Sequence, residues 1–165
     1  MILTLWRHGE AGTAATDRQR QLTDRGRDDV SFGCHRFHDT CVERGLAHPD
    51  RLLHSPWVRT TQTADIVASA FSHARVQPAD ALLPGMGVGD VDRALQDLEC
   101  PQDGHLVLVG HQPLVSRLVD HYLGEPGRVP PLSPGAFAVL RLEVAGPGCG
   151  TLLFWALPPE YEARV

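Results

Sequence analysis

Two arginines and two histidines follow three apolar runs of the sequence, each at a turn that contains glycine, serine or proline. They are Arg7 and His8 in the first segment, Arg59 in the second and His111 in the third. A guanidinium binds phosphoryl oxygens through its forked N–H groups, and an imidazole can attack phosphorus as a nucleophile. These residue types therefore predict phosphoryl chemistry if the fold brings the three segments together.

The three apolar runs are typical of short buried strands. Residues 2–6, 52–54 and 106–110 fit this pattern, and the last run is apolar on both faces, as in the middle of a parallel sheet. The carboxyl ends of parallel strands meet at one edge of a sheet, where ligands bind in open α/β folds. We therefore expect the four side chains to converge there, with Arg59 reaching back from the first turn of a helix after Pro56.

Helices are predicted between these strands, and a strand pair after them. The four helices run from a Thr23 cap to Arg44 before Gly45, from Pro56 to about Phe71, from an Asp90 cap to about Leu98, and from about Pro113 to Leu123. The other predicted elements are an edge strand at 76–78, a loop at 83–89 and antiparallel strands at 136–144 and 151–157. This order predicts an α/β fold, a three-layer sandwich whose central sheet is mostly parallel, with an antiparallel edge and helices on both faces.

The composition predicts a globular protein that does not bind nucleic acid. Of the 165 residues, 42% are hydrophobic and 21% charged, and the net charge of −5 disfavours binding to a polyanion. No segment resembles a membrane span or a signal peptide, so we expect a cytoplasmic protein with no membrane partner, large enough to be a monomer. The sequence contains no lysine, so an isolated arginine carries little functional information.

The four cysteines form no C-x-x-C pair, and we expect them to remain reduced; they are Cys34, Cys41, Cys100 and Cys149. Cys34, His38 and Cys41 have helical spacing and could together ligate zinc. The same face carries Val30 and Phe37, which favours an apolar stripe in which cysteine packs as a small hydrophobic residue. We therefore predict no metal site.

Several other polar residues have simpler explanations. Ser55 and Gln112 either line the pocket or stabilise the turns in which they lie. The histidines outside the three segments, including His105, are expected to be ordinary surface or partly buried residues. Trp57 is exposed by its turn and could contact a substrate protein.

A pocket with two arginines and two histidines suits a dianion, and a phosphoryl group fits best. One imidazole must be unprotonated at the nitrogen that faces phosphorus. The other can stay protonated, because a bound dianion raises its pKa. The arginines would hold the equatorial oxygens as charge shifts in the transition state.

These motifs resemble those of the histidine phosphatase superfamily, also called phosphoglycerate-mutase-like. The resemblance is carried by Arg7-His8-Gly9, Ser55-Pro56-x-x-Arg59-x-x-Gln62-Thr63-Ala64 and Gly110-His111. The SixA branch of phosphohistidine phosphatases is similar in Leu22-Thr23-x-x-Gly26, Val109-Gly110-His111-Gln112-Pro113-Leu114 and Leu132-x-Pro134-Gly135-Ala136.

The resemblance implies a single histidine-phosphatase domain over residues 1–165. His8 would carry a transient phosphohistidine, while Arg7, Arg59 and His111 bind the phosphoryl group. Water would then release inorganic phosphate, with no metal or organic cofactor. The implied function is phosphohistidine phosphatase acting on a phosphorylated protein; the alternatives are a small-molecule phosphomonoesterase or mutase on this scaffold, and a non-catalytic phosphate-binding module.

The family's usual proton donor is missing from the sequence. Larger relatives that cleave phosphate esters carry an acid in the loop after the third strand, whereas here residues 82–89 contain no carboxylate. A positioned acid contributes roughly 10²–10⁴-fold for an alkoxide leaving group. A phosphoramidate can carry its proton on the leaving nitrogen, so the absence of an acid from this loop favours N-linked phosphate as the substrate. The sequence leaves open whether Glu10, Asp90 or no carboxylate is the donor.

Overall fold

The core of the fold is a mixed sheet of six strands. In a computed structural model, which describes residues 1–98, 101 and 103–165, the strands are β1 (Ile2–Arg7), β2 (Arg51–His54), β3 (Arg75–Pro78), β4 (His105–Gly110), β5 (Phe137–Leu142) and β6 (Gly150–Ala156). The helices are α1 (Asp24–Glu43), α2 (Val58–Ser69), α3 (Val88–Gln96) and α4 (Leu114–Leu123), with short 3₁₀ helices at Asp17–Gln19 and Asp80–Leu82. None of the helices in this described part combines the length and apolar character needed to cross a membrane.

Strand order and direction bring the three turns to one edge. The order is β3-β2-β4-β1-β5-β6; the first four strands are parallel, and β5 and β6 form the antiparallel edge. Arg7 is paired with Gly110 and His54 with Val109, so β1, β2 and β4 end at the same level. The predicted α/β architecture is confirmed.

Helices cover both faces of the sheet. On one face, Phe37 of α1 and Val67 of α2 pack against Trp6 in a cluster of buried residues. On the other face, α3 and α4 pack over a second cluster that contains Leu5 and Leu108. Burying apolar area from both faces stabilises β1 and β4 as central strands, so their carboxyl ends form a rigid base for the turns.

The cysteines of α1 belong to the apolar stripe. Cys34 and Cys41 are buried, and burial raises the pKa of each thiol to about 12. The Cys34 thiol donates a hydrogen bond to the Val67 carbonyl oxygen at 3.5 Å. Among the described residues, no group of three histidine, cysteine or acidic side chains is placed to hold a metal ion. Cys149 is a free thiol, and Cys100 lies outside the described residues.

The prediction that Asp90 is the N-cap of the third helix is wrong. Helix α3 begins at Val88, and Asp90 is its third residue. Its carboxylate accepts a hydrogen bond from the Gly87 N–H at 2.9 Å, so it stabilises the helix start from within the first turn. The predicted loop is correspondingly shorter by two residues.

His105 is fully buried, which corrects the expectation of a surface or partly buried residue. It opens the central strand β4, whose residues are all buried. Its Nδ1 bonds to the Ala47 carbonyl oxygen at 2.7 Å, and its Nε2 lies 2.8 Å from the Thr4 hydroxyl. Burial lowers the pKa of His105 to about 4, so the ring is neutral at pH 7.

This buried histidine predicts a loss of stability in mild acid. Unfolding returns the pKa to the ordinary histidine value of 6.5, so the unfolded chain binds a proton that the folded chain excludes between pH 6.5 and about 4. The free energy of unfolding should fall as the pH drops through this window, by about 3 kcal/mol for this group. Urea titrations across the window measure the slope.

A His105→Gln variant serves as the comparison, because His8 and His111 add to the slope in the same direction. Its slope should be shallower than that of the parent protein by about one proton. If the free energy of unfolding depends on pH equally in the two proteins, His105 is not responsible for the loss of stability in acid.

Candidate active site

His8 follows β1 and is oriented by the backbone next to it. Its Nδ1 lies 2.7 Å from the Gly9 carbonyl oxygen, which can only accept, so the Nδ1 proton is donated there. The other ring nitrogen, Nε2, consequently carries a lone pair. The ring is buried, and its Nε2 points toward the helix that follows β2, where it meets Arg59.

Arg59, in the first turn of α2, reaches back over the strand ends. Its Nε lies 3.2 Å from His8 Nε2, and its Nη1 donates to the Asp17 carbonyl oxygen at 2.7 Å. Its guanidinium carbon lies 5.0 Å from the centre of the Trp57 ring. These contacts hold the cation beside His8 Nε2, as the position in the helix predicts.

Arg7 is held by the loop before β5. Its backbone N–H donates to the Ala136 carbonyl oxygen at 2.9 Å, and its Nη1 donates to the Leu132 carbonyl oxygen at 2.9 Å. Within the described chain, its Nε is buried and has no hydrogen-bond partner. A buried N–H of this kind is costly unless a ligand oxygen accepts from it.

His111 lies across the pocket from His8. The two ring centres are 5.3 Å apart, and His111 Nε2 is 2.8 Å from the Ser55 hydroxyl. Its Nδ1 is buried and, among the residues described, has no partner. Ser55 therefore orients this ring, and Trp57 packs against its edge with the ring centres 5.4 Å apart.

Both imidazoles are neutral at pH 7. Burial, reinforced by Arg59 and Arg7, lowers the pKa of His8 to about 4. Burial and the neighbouring His8 lower the pKa of His111 to about 3. His8 therefore presents an unprotonated nitrogen at physiological pH, which nucleophilic attack requires.

The four side chains line a common cavity of about 330 Å³ at the edge of the sheet. The residues around it are Arg7, His8, Glu10, Ala11, Asp17, Arg20, Arg59, Pro84, His111, Gln112 and Pro134. Its three arginines outnumber its two carboxylates, so the lining is net positive and suits a small anion. Gln112 lies in this wall and also donates to the Leu132 carbonyl oxygen at 2.8 Å.

Two charged residues of this wall were not singled out from the sequence. Asp17 lies between two arginines: its carboxylate is 3.0 Å from Arg20 Nη1 and 3.4 Å from Arg59 Nη2. The hydrogen bond from Arg20 and the charge of Arg59 lower the pKa of Asp17. Arg20 also donates from Nε to the Gly12 carbonyl oxygen at 2.7 Å. The signal was weak because all fifteen Lys or Arg positions are arginine.

The motif residues of α2 hold the turn after β1. The Thr63 hydroxyl accepts from the Gly9 N–H at 3.1 Å, and the Gln62 side-chain oxygen accepts from the Leu22 N–H at 2.8 Å. Gly26 of α1 permits the close approach from the other side, because a Cβ there would collide with the Glu10 carbonyl oxygen. Gln62 and Thr63 are adjacent in the motif, and each contacts a different segment near the turn after β1.

The two candidate proton donors are placed differently. Glu10 lies at the cavity wall, where its carboxylate accepts from the Thr23 hydroxyl at 2.8 Å. Asp90 binds the Gly87 N–H and lies 3.6 Å from Arg93 Nη1, and it is not among the cavity residues. The structure therefore brings Glu10, but not Asp90, to the pocket.

Solved structures with the same fold include SixA phosphatases. The solved structure of the protein histidine phosphatase SixA complexed with tungstate superposes with a TM-score of 0.76 at 28% identity, covering 96% of this chain and 97% of that chain. A structure from Nakamurella multipartitia, assigned to SixA phosphohistidine phosphatases, gives 0.70 at 25% identity and covers 95% of each chain. An uncharacterized protein from Picosynechococcus sp. is 35% identical over 116 residues, or 68% of this chain and 67% of that protein. No protein-family model matches the chain.

The fold and the cationic pocket define an enzyme of the phosphatase class. In fold and in sequence the chain is similar to the histidine phosphatases, and among them to SixA.

Proposed function

We propose that the protein removes phosphate from phosphohistidine in a protein substrate, through a covalent intermediate on His8. The observation that carries the proposal is the tautomer of His8. Because Nδ1 donates to Gly9, the lone pair of Nε2 faces the pocket, where it accepts a hydrogen bond from the Arg59 Nε–H at 3.2 Å; a bound phosphoryl oxygen would take over that donor. The similarity to SixA supports the choice of substrate.

In the first step, His8 Nε2 attacks phosphorus as the bond from phosphorus to the substrate imidazole breaks. The substrate imidazole leaves with the bonding electron pair. It leaves as neutral imidazole when its other ring nitrogen already carries a proton, and otherwise it takes a proton from solvent. Arg7 and Arg59 bind the phosphoryl oxygens, and the unpartnered Nε of Arg7 supports this role. A bound dianion raises the pKa of His111, which can then donate a hydrogen bond to it.

In the second step, water attacks the phosphohistidine at His8. The bond between His8 Nε2 and phosphorus breaks, the electron pair returns to the ring, and inorganic phosphate leaves. These two steps need a charged, preorganised pocket and no other reactant than water.

The loop after β3 favours N-linked phosphate over esters. Pro84 is the residue from this loop at the cavity wall, and it offers no proton. An ester would need a donor for its leaving oxygen. Of the two carboxylates at the cavity wall, Asp17 is paired with Arg20 and Arg59, which leaves Glu10 as the candidate donor. A small-molecule phosphomonoesterase that uses Glu10 is therefore the second candidate function.

A turnover panel tests the proposal. Purified protein is given a phosphohistidine-containing phosphotransfer protein, phosphoramidate, and a set of sugar phosphates and nucleotides, and phosphate release is measured. We expect kcat/KM for the N-linked substrates to exceed that for the esters by at least about 100-fold, the range of a missing acid. Faster turnover of esters that depends on Glu10 would favour the second candidate, and absence of turnover on every substrate would refute both.

A further inference from the structure

The C-terminal segment after β6 returns to the back of the catalytic turn. Tyr161 on this segment is 1% exposed and lies between α1 and the loop at 132–136. It has a backbone φ of 51°, in the left-handed region that side chains other than glycine rarely adopt. Such a conformation persists only where the surroundings fix it.

Two glycines and two aromatic rings form the slot for Tyr161. A Cβ at Gly33 of α1 would collide with the Tyr161 ring, and one at Gly135 would lie 2.8 Å from the Tyr161 hydroxyl. The ring stacks on Phe137 with the centres 6.1 Å apart, and it meets the edge of Phe32 at the same distance. The slot therefore fixes both the ring and the direction of its hydroxyl group.

The Tyr161 hydroxyl is connected to the nucleophile through one residue. It donates to the Gly135 carbonyl oxygen at 3.2 Å, and the Gly135 N–H donates to the His8 carbonyl oxygen at 2.9 Å. The next residue, Ala136, accepts from the Arg7 N–H at 2.9 Å. Burial raises the pKa of Tyr161, so its hydroxyl stays protonated and remains a donor.

We propose that Tyr161 is a positioning residue for His8: it anchors the loop at 132–136 from behind, and this loop holds the backbone of Arg7 and His8. This role rests on the proposed function of His8 as the nucleophile. It does not involve contact with substrate, since Tyr161 is not among the cavity residues. The C-terminal segment is thus part of the support of the active site.

A Tyr161→Phe variant tests the proposal, because it keeps the ring and removes only the hydroxyl. With phosphoramidate as substrate, we expect kcat to fall about fivefold to tenfold, since displacement of a reacting group by 1 Å can cost about 100-fold. KM should change less than kcat, because two of the three phosphate-binding residues, Arg59 and His111, are held by elements other than the loop that holds Arg7. The ¹⁵N resonances of the His8 ring and of the Gly135 amide should also shift.

Tyr122→Phe is the matched control. Tyr122 is also a fully buried tyrosine, and its hydroxyl donates to the Asp92 carboxylate at 2.8 Å, in the cluster on the opposite face of the sheet. It should lower Tm without changing kcat or the two resonances. If Tyr161→Phe has the same kcat and the same resonances as this control, the positioning role is refuted. The resonances give that answer even if the protein does not turn over phosphoramidate, an outcome that would count against the proposed function alone.

A second pair of substitutions approaches the tyrosine from the other side of its slot. Gly33→Ala should displace the ring and lower kcat, although Gly33 lies on α1 and outside the cavity. In a Tyr161→Ala background the same substitution should have no further effect on kcat, because the ring is no longer present. An equal effect in both backgrounds would show that Gly33 acts through α1 and would overturn the proposal.

Discussion

A His8→Ala variant is expected to release phosphate at least about 1,000-fold more slowly than the parent protein, because loss of a nucleophile removes the covalent route entirely. Incubation with ³²P-labelled phosphohistidine protein should label the parent protein transiently and leave the variant unlabelled. Rapid quenching followed by a chase with unlabelled substrate measures both the label and its loss.

The control for this variant is His35→Ala. His35 is an exposed histidine on α1 whose ring bonds to the Ser31 carbonyl oxygen at 2.8 Å, away from the cavity. It should be labelled and turn over as the parent protein does. Stable phosphate binding without any labelled intermediate in the parent protein would contradict the enzymatic mechanism and favour a binding module.

An Arg59→Lys variant should lose about 100-fold in kcat, although it keeps the positive charge. The lysine ammonium cannot contact His8 Nε2, the Asp17 carbonyl oxygen and a phosphoryl oxygen at once, because it lacks the planar fork of the guanidinium. Steady-state kinetics with phosphoramidate measure the loss, and most of it should appear in kcat, since the cation acts on charge that develops in the transition state.

Arg44→Lys is the matched control for this substitution. Arg44 also stacks on an aromatic ring, with its guanidinium carbon 5.0 Å from the centre of Phe154, and it donates to the Leu153 carbonyl oxygen at 2.7 Å. It lies after α1 and is not a cavity residue. If both lysine variants keep full activity, the geometry of Arg59 is not used in catalysis.

The sequence predicted the elements that have strong periodicity and clear caps. The apolar runs of β1, β2 and β4 are visible because buried parallel strands are continuously apolar. From them the common edge follows, and with it the meeting of Arg7, His8, Arg59 and His111. Thr23 was recognisable as a cap, and its hydroxyl accepts from the Gly26 N–H at 2.9 Å.

The residues that escaped prediction depend on tertiary contacts. Asp17 and Arg20 lie in and just after a short 3₁₀ helix. This segment is held by contacts of Arg59 with Asp17 and of Gln62 with Leu22, and no local pattern encodes those contacts. Tyr161 lies 153 positions after His8, and the two glycines that line its slot are remote from it in the sequence. The start of α3 was predicted too late, because Asp90 stabilises the helix start from the third helical position and is not the residue before the helix.

The way in which the arginines are anchored has a consequence for the end of the cycle. Arg7 is tied to the Leu132 carbonyl oxygen, which orients its guanidinium without neutralising it, whereas Arg59 contacts both the carbonyl oxygen and, at 3.4 Å, the carboxylate of Asp17. The charge that Arg7 keeps attracts the free dianion that leaves as well as the phosphoryl group that arrives. Inorganic phosphate is therefore expected to occupy the same pocket and to slow turnover when it is added at low substrate concentration.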